Sequence, residues 1–444
     1  MESLAIQEII FTFGLLTLVL FITTSVLLNI IPIEITAYPA VASICATDPC
    51  IEPTVIDNGL KVQQVANGFN APTKMAFMKS GDILVLERYT GKIIRIINNT
   101  VDQEPILDVN VAAGAGERGL LGIAVSKGTD HTYVFVYYTE SDSDGGIPIG
   151  NRLYRYEFVN DRLIDPKLLL DLPFTPGPYH NGGAIDIGPD KNVYLTVGDL
   201  DNVDDKPRPS STVQNVKGGS EPNGSGGILR VTQNGDVVKA ILGDNPTLNL
   251  YYGYGLRNSF GIDFDPLTGK LWDTENGPNY GDEINLVEPG FNGGWTKVQG
   301  MWLLKGSNMG QEIGSNITKL GLVNFDGKGK FSLPEFTWKG RYGPTGLKFL
   351  ESDKLGPEYE NDLFVGDVHN GTLYRFDLNK ERTGLSLNGS LSDRIANDTK
   401  ELKDLIFGIG FGGITDLQMG DDGFLYVVSY GHGSIYRIMP AKSA

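Results

Sequence analysis

One pattern recurs through most of the chain: a polar turn containing Asp and Gly, a short run of alternating apolar residues, another turn and a second alternating run. Its clearest copies are Ser80-Gly81-Asp82-Ile83-Leu84-Val85-Leu86 leading to Gly91-Lys92-Ile93-Ile94-Arg95-Ile96, and Asp421-Asp422-Gly423-Phe424-Leu425-Tyr426-Val427-Val428 leading to Gly433-Ser434-Ile435-Tyr436-Arg437-Ile438. Further copies begin near Asp130, Pro189, Pro266 and Asn361. Alternation with a period of two marks strands, and Asp-Gly turns between such runs mark hairpins. Six anchors along 444 residues predict an all-β chain with a six-bladed β-propeller, its wider gaps holding long loops on one face. No helical periodicity alternates with the strands, which argues against a parallel α/β sheet. A β-sandwich would need fewer hairpins. The 57 Gly, 20 Phe and 19 Tyr fit many short strands and tight turns.

The N-terminal end reads differently. From Ile9 to Ile31 there is no charged residue, and about 23 apolar-rich residues span roughly 34 Å as a helix, enough to cross a bilayer. A cleaved signal has a shorter apolar core and a basic start, whereas Glu2 and Glu8 flank this one. Small residues at Ala40, Val41 and Ala42 lie well beyond its end. The expected organisation is therefore an anchor over residues 1–33, a linker over 34–56 and the propeller over 57–441, with one N-terminal transmembrane helix tethering the body to a cell membrane. No Lys or Arg near the span sets its orientation. Cys45 and Cys50, the two cysteines, lie in the linker; they either close one small loop in an oxidising compartment or stay unpaired. Sequons at Asn98, Asn223, Asn316, Asn370, Asn388 and Asn397 accord with a body outside the cytoplasm. A net charge of -17 opposes binding to nucleic acid or anionic headgroups, which need a cationic face.

Several segments offer chemistry. His180, in Pro178-Tyr179-His180-Asn181-Gly182-Gly183, stands on a loop entering a blade, where an imidazole serves as a general base near neutral pH. Arg257 and Asn258 put a guanidinium and an amide side by side as donors for a carbonyl or carboxylate. The segment from Asp273 to Leu286 combines four carboxylates, amides and the Gly277-Pro278 corner, an oxygen-rich turn suited to Ca²⁺ or simply to solvent. A second acidic stretch, Asp199 through Asp205, reads as a solvent-facing loop. The polar head of Glu117-Arg118-Gly119-Leu120-Leu121-Gly122 is placed to reach a central funnel. There is no phosphate-binding Gly-rich loop, no serine nucleophile elbow and no His/Cys zinc cluster.

Taken in order, Glu117 to Gly122, His180 to Gly183 with Gly188-Pro189-Asp190, Leu256-Arg257-Asn258, and Glu275 to Pro278 through Asp282 to Leu286 with Gly293-Gly294-Trp295 resemble the glucose/sorbosone dehydrogenase family, over about Gly59 to Ile438. That resemblance implies a six-bladed propeller and a quinoprotein with pyrroloquinoline quinone (PQQ) and Ca²⁺. Its substrate would be a sugar or related aldehyde or alcohol, and an external acceptor would receive the electrons. It assigns catalysis to His180 and Arg257, and cofactor binding to Glu117, Arg118, Arg257 and Asn258. The carbonyls of Gly277 and Pro278 would hold the metal, with Glu283 supporting the turn or a structural ion. The chain departs from the pattern at Glu117 or Arg118, where a glutamine is expected, at Tyr179 before the histidine, and at Ala184. The lysine and arginines that grip the cofactor carboxylates have no match in Pro344 to Glu351 or Asp367 to Gly371; Arg118, Arg257, Lys348 and Arg375 are the cations expected to compensate. Two other readings compete: a non-catalytic surface propeller binding a glycan or protein, and a Ca²⁺-dependent lactone hydrolase, which would need carboxylate ligands facing the funnel.

Overall fold

The computed structural model describes residues 52–128, 131–200, 211–306, 308–314 and 320–441. The apolar run Ile9–Ile31 and both cysteines lie outside them. Among the described residues no helix is long and apolar enough to cross a membrane, and helix is confined to short 3₁₀ turns such as Thr212–Gln214 and Gly389–Asp393.

The described residues form an all-β body. Its main sheets follow one another along the chain, each opening with an inner strand: Pro72–Phe77, Leu120–Lys127, Ile185–Ile187, Ser259–Phe264, Pro344–Phe349 and Ile414–Met419. In each sheet the next strands pair antiparallel as a meander. Consecutive inner strands pack side by side, and Ile414–Met419 returns to Pro72–Phe77, so the sheets close a ring. The last sheet takes its outer strand from the start of the body: Leu60–Asn67 pairs with Ser434–Pro440, matching Val62 to Ile438.

Packing explains why most second strands are largely apolar instead of alternating with polar residues, Leu271–Glu275 being the exception. A strand lying between two neighbouring sheets sends successive side chains to opposite faces, and here both faces are core. Val134, Val136 and Tyr138 pack toward the first sheet with Leu84, Leu86 and Ile93, while Phe135 and Tyr137 pack toward the third with Val193, Leu195 and Leu229. Leu363 and Val365 meet Trp272, Phe336 and Trp338, whereas Phe364 faces Leu417, Leu425 and Val427. Tyr426 and Val428 close the circle against Met75, Phe77 and Val85.

Five of the hairpin anchors, near Ser80, Pro189, Pro266, Asn361 and Asp421, fall between the first and second strands of a sheet. Asp130 lies outside the described residues, between Leu120–Lys127 and Thr132–Ser141. At these turns a repeated ion pair appears: Asp82 with Arg95, Asp190 with Arg230, Asp362 with Arg375 and Asp422 with Arg437. Each arginine sits on the third strand, opposite residue 84, 194, 364 or 426 of the second.

Candidate functional site

At the end of the ring where inner strands begin, loops from several sheets enclose a cavity of about 320 Å³ lined by Glu117, His180, Arg257, Asn258, Gly277, Pro278 and, beyond the expected set, Asp282, Arg341 and His369. Glu117 precedes the second inner strand, His180 the third, and Arg257-Asn258 abut the fourth. Gly277 and Pro278 occupy the turn between Leu271–Glu275 and Asp282–Val287. The sequence-predicted residues thus converge, with one exception.

His180 takes a left-handed backbone conformation, φ 57°, and its N–H donates to Glu117 Oε2 at 2.8 Å. Its Nδ1 lies 2.6 Å from Asp199 Oδ1, and the other oxygen of Asp199 accepts from Trp295 Nε1 at 2.7 Å. Both side chains of the pair are nearly sealed, 7 % and 5 % exposed. With Nδ1 engaged, Nε2 is the ring nitrogen left to serve a ligand. Asp199 therefore does not face solvent as the sequence reading expected. The chain reaches it through Gly198, which passes so close that a Cβ there would meet His180 O at 2.4 Å and Arg257 O at 2.7 Å. Only glycine permits that approach.

Arg257 is buried. Its Nη1 donates to the carbonyls of Asn276 and Gly277, each at 3.0 Å, and its guanidinium lies 5.6 Å from the Trp295 ring centre. Its backbone N–H donates to Glu275 Oε1 at 2.5 Å. Asn258 Nδ2 reaches Glu117 Oε2 at 3.5 Å, while its Oδ1 is buried with no partner. The Gly277 corner is held by Asp282, which accepts from the N–H groups of Gly277, Tyr342 and Gly343 at 2.7 to 2.8 Å. Burial raises the Asp282 pKa, opposed by these three donors. Partial burial and then Arg341 lower that of His369.

The exception is Arg118. Its guanidinium turns to the Phe174 carbonyl at 2.7 Å and lies over the Phe174 ring, and it does not line the cavity. Two other expected compensating cations are also elsewhere. Lys348 is bound to Asp263 at 2.7 Å, and Arg375 belongs to the repeated turn pair. Arg341 and His369 stand at the cavity instead. Lys74 and Arg88 line an adjoining space of about 230 Å³ that shares Glu117, Phe260 and Val368 with it. Nothing local in the sequence marks Arg341, whereas His369 lies in the Asp367 to Gly371 stretch where the resemblance places a cofactor-gripping cation; the Gly-Gly-Trp motif around Trp295 was the available hint of Asp199's partner.

The donor set fits the ring oxygens of a quinone and a hard cation, with Arg341 and His369 as the cavity cations beyond Arg257. The orphaned Asn258 amide oxygen can accept from a cation or a hydroxyl, and the Arg257 and Arg341 guanidiniums can donate to quinone oxygens. Gly277 O, with two lone pairs, spends one on Arg257. Among the described residues no three carboxylate, imidazole or thiol groups are set to hold a metal, unlike a carboxylate-ligated hydrolase site.

Comparison with known proteins gives the same assignment. The chain is 26 % identical over 396 residues to an uncharacterised protein of Synechocystis, covering 85 % of this chain and 86 % of that one. It is 30 % identical over 256 residues to quinoprotein glucose dehydrogenase B of Acinetobacter calcoaceticus, about half of each chain (53 % and 52 %). The structure of a putative glucose dehydrogenase of Thermus matches with TM-score 0.65 at 26 % identity, covering 86 % of this chain and all (100 %) of that one. The PQQ-bound aldose sugar dehydrogenase of Streptomyces coelicolor matches with TM-score 0.60 at 25 % identity, covering 86 % and 97 %. The glucose/sorbosone dehydrogenase family model matches residues 69–437, and the chain belongs to that family.

Proposed function

We propose that this protein is a six-bladed propeller acting outside the cytoplasm as a quinoprotein-type oxidoreductase, oxidising a sugar or related aldehyde or alcohol with PQQ and Ca²⁺. The observation that carries this reading is the Trp295–Asp199–His180 relay opening on the same cavity as Arg257, Asn258, Gly277 and Pro278. Tethering through the apolar run Ile9–Ile31 rests on the sequence.

PQQ, when bound, supplies the two-electron acceptor for hydride leaving the substrate carbon. His180 Nε2 takes the proton of the substrate hydroxyl as the hydride departs. Asp199 holds the proton on Nδ1 and stabilises the imidazolium that forms, an arrangement worth ~10²–10⁴ in rate for general base catalysis. Trp295 fixes the carboxylate so that the imidazole keeps its aim. Arg257 and Asn258 are the side chains for the quinone oxygens, and the carbonyls of Gly277 and Pro278 would hold Ca²⁺, a Lewis acid polarising the cofactor. Arg341 and His369 are the wall residues available to its carboxylates.

The test is reconstitution of the purified chain with PQQ and CaCl₂. Dye-linked oxidation of an aldose and a quinone absorbance change saturating at micromolar concentration are expected; neither appearing would end the proposal. The shortage of cations supports one second reading. Glu117 and Asp282 offset Arg257 and Arg341, so a tricarboxylate meets a nearly neutral wall, as a surface propeller binding a neutral glycan would present. Glycan binding without quinone binding would favour it.

A further inference from the structure

Next to the cavity residue Asn258, the fourth sheet buries a group of oxygen atoms that the proposed reaction does not use. Asp273, Ser259 and Asn285 are fully or almost fully buried. Asp273 stands opposite Asn285 on paired strands, and the side chains of both Ser259 and Asn285 face its carboxyl group. None of the expected hydrogen bonds closes. Both carboxylate oxygens of Asp273, the Ser259 hydroxyl and Asn285 Oδ1 have no partner. Unpaired buried oxygens are costly and rare, and four in one place point to a ligand that accepts all of them.

Two further acidic side chains lie on the same face, and burial pushes the pKa of both up, Glu283 to about 8. Glu275 and Glu283 are paired across the strands and fully buried, but their oxygens have other work. Glu275 accepts the Arg257 N–H. Glu283 accepts from Gln299 Nε2 at 3.0 Å and from the Gly300 N–H through one oxygen, and from Asn285 Nδ2 at 3.0 Å through the other. These contacts engage them away from Asp273. Asn285 donates one N–H to Glu283, and its Oδ1 is buried without a partner.

We infer that Asp273, Ser259 and Asn285 form a buried site for a hard cation of the calcium type, separate from the Gly277-Pro278 corner. Carboxylate, amide and hydroxyl oxygens with no nitrogen or sulfur are the donor chemistry such ions select. Ser259 follows Asn258 directly, and Glu275 holds the Arg257 backbone. A cation here would brace the strands that present both residues to the funnel.

Calcium binding to the full chain, measured without quinone by titration calorimetry and by metal analysis after gel filtration, tests this site. One calcium should be lost in Asp273→Asn and in Ser259→Ala, with the corner Gly277-Pro278 untouched. Asn285→Asp, which adds a charge, should bind about tenfold more tightly, and it keeps the test alive if Asp273→Asn fails to fold. In the wild type the unfolding midpoint should rise by about 3 °C at calcium ~100-fold above its dissociation constant. The idea is overturned if wild type, Ser259→Ala and Asn285→Asp bind the same number of calcium ions with the same affinity, the outcome for a cage holding only water. Loss of quinone binding with this calcium retained would instead strike the proposed function alone.

Discussion

The two ends of the ring are built on different rules. At the turn end, four sheets carry the same device, an aspartate at the hairpin and an arginine two strands away. At the funnel end no two sheets contribute alike: one gives Glu117, another His180 with Asp199, another Arg257, Asn258 and the Gly277 corner, and another Arg341 and His369. Repetition serves closure of the ring, and its absence marks where one ligand must be met from several sides. A scaffold so repetitive can spare one end for buried charge because the other end and the inter-sheet cores hold it together.

If that division is right, the largest effects come from the funnel and leave the fold alone. His180→Ala should lower dye-linked dehydrogenase activity by ~10²–10⁴, and Asp199→Asn should follow with a loss of ~10² or more while quinone absorbance still saturates. Circular dichroism and unfolding midpoint should stay near wild type; a collapse of either would show that the pair is mainly structural. Next comes the core that both ends share. Phe135→Ala, on a strand buried between two sheets, should cost about 3–5 kcal/mol in denaturant unfolding. A turn pair is worth less. Arg437, bound to Asp422 at 2.9 Å and partly exposed, should cost about 1 kcal/mol on replacement by Ala, without effect on activity. A larger loss would mean that the turn repeats carry the ring.

The smallest effect is a pH dependence. His369 has a lowered pKa, so it is neutral at pH 7 and gains charge only as the pH falls through that lowered value. Affinity for an anionic quinone should then rise modestly as the pH falls below the ordinary histidine value, since an arginine already stands beside it and Asp282 and Glu117 line the same cavity. His369→Gln should flatten the rise in a fluorescence titration. The stability sign is opposite: a native histidine that resists protonation makes the protein less stable as the pH falls below the ordinary histidine value.

What could be read from the sequence follows the same divide. Hairpin turns are local, so Ser80-Gly81-Asp82 and Asp421-Asp422-Gly423 announced themselves, and the motifs around His180 and Arg257 pointed to one cavity. Asp199 was misread because its burial depends on Gly198 threading between two other loops. Lys348 looked available because the aspartate that holds it lies 85 residues earlier. Arg118 stood beside a funnel residue in sequence, yet its side chain found the Phe174 carbonyl, 56 residues on.

The strand Leu60–Asn67 has a consequence for synthesis. It is among the first parts of the body to be made, and its partner Ser434–Pro440 is the last. During translation the early strand waits, with its hydrogen-bonding edge open, until almost the whole chain has emerged. A chain stopped before Ser434 would leave that edge exposed, a template for pairing with other chains.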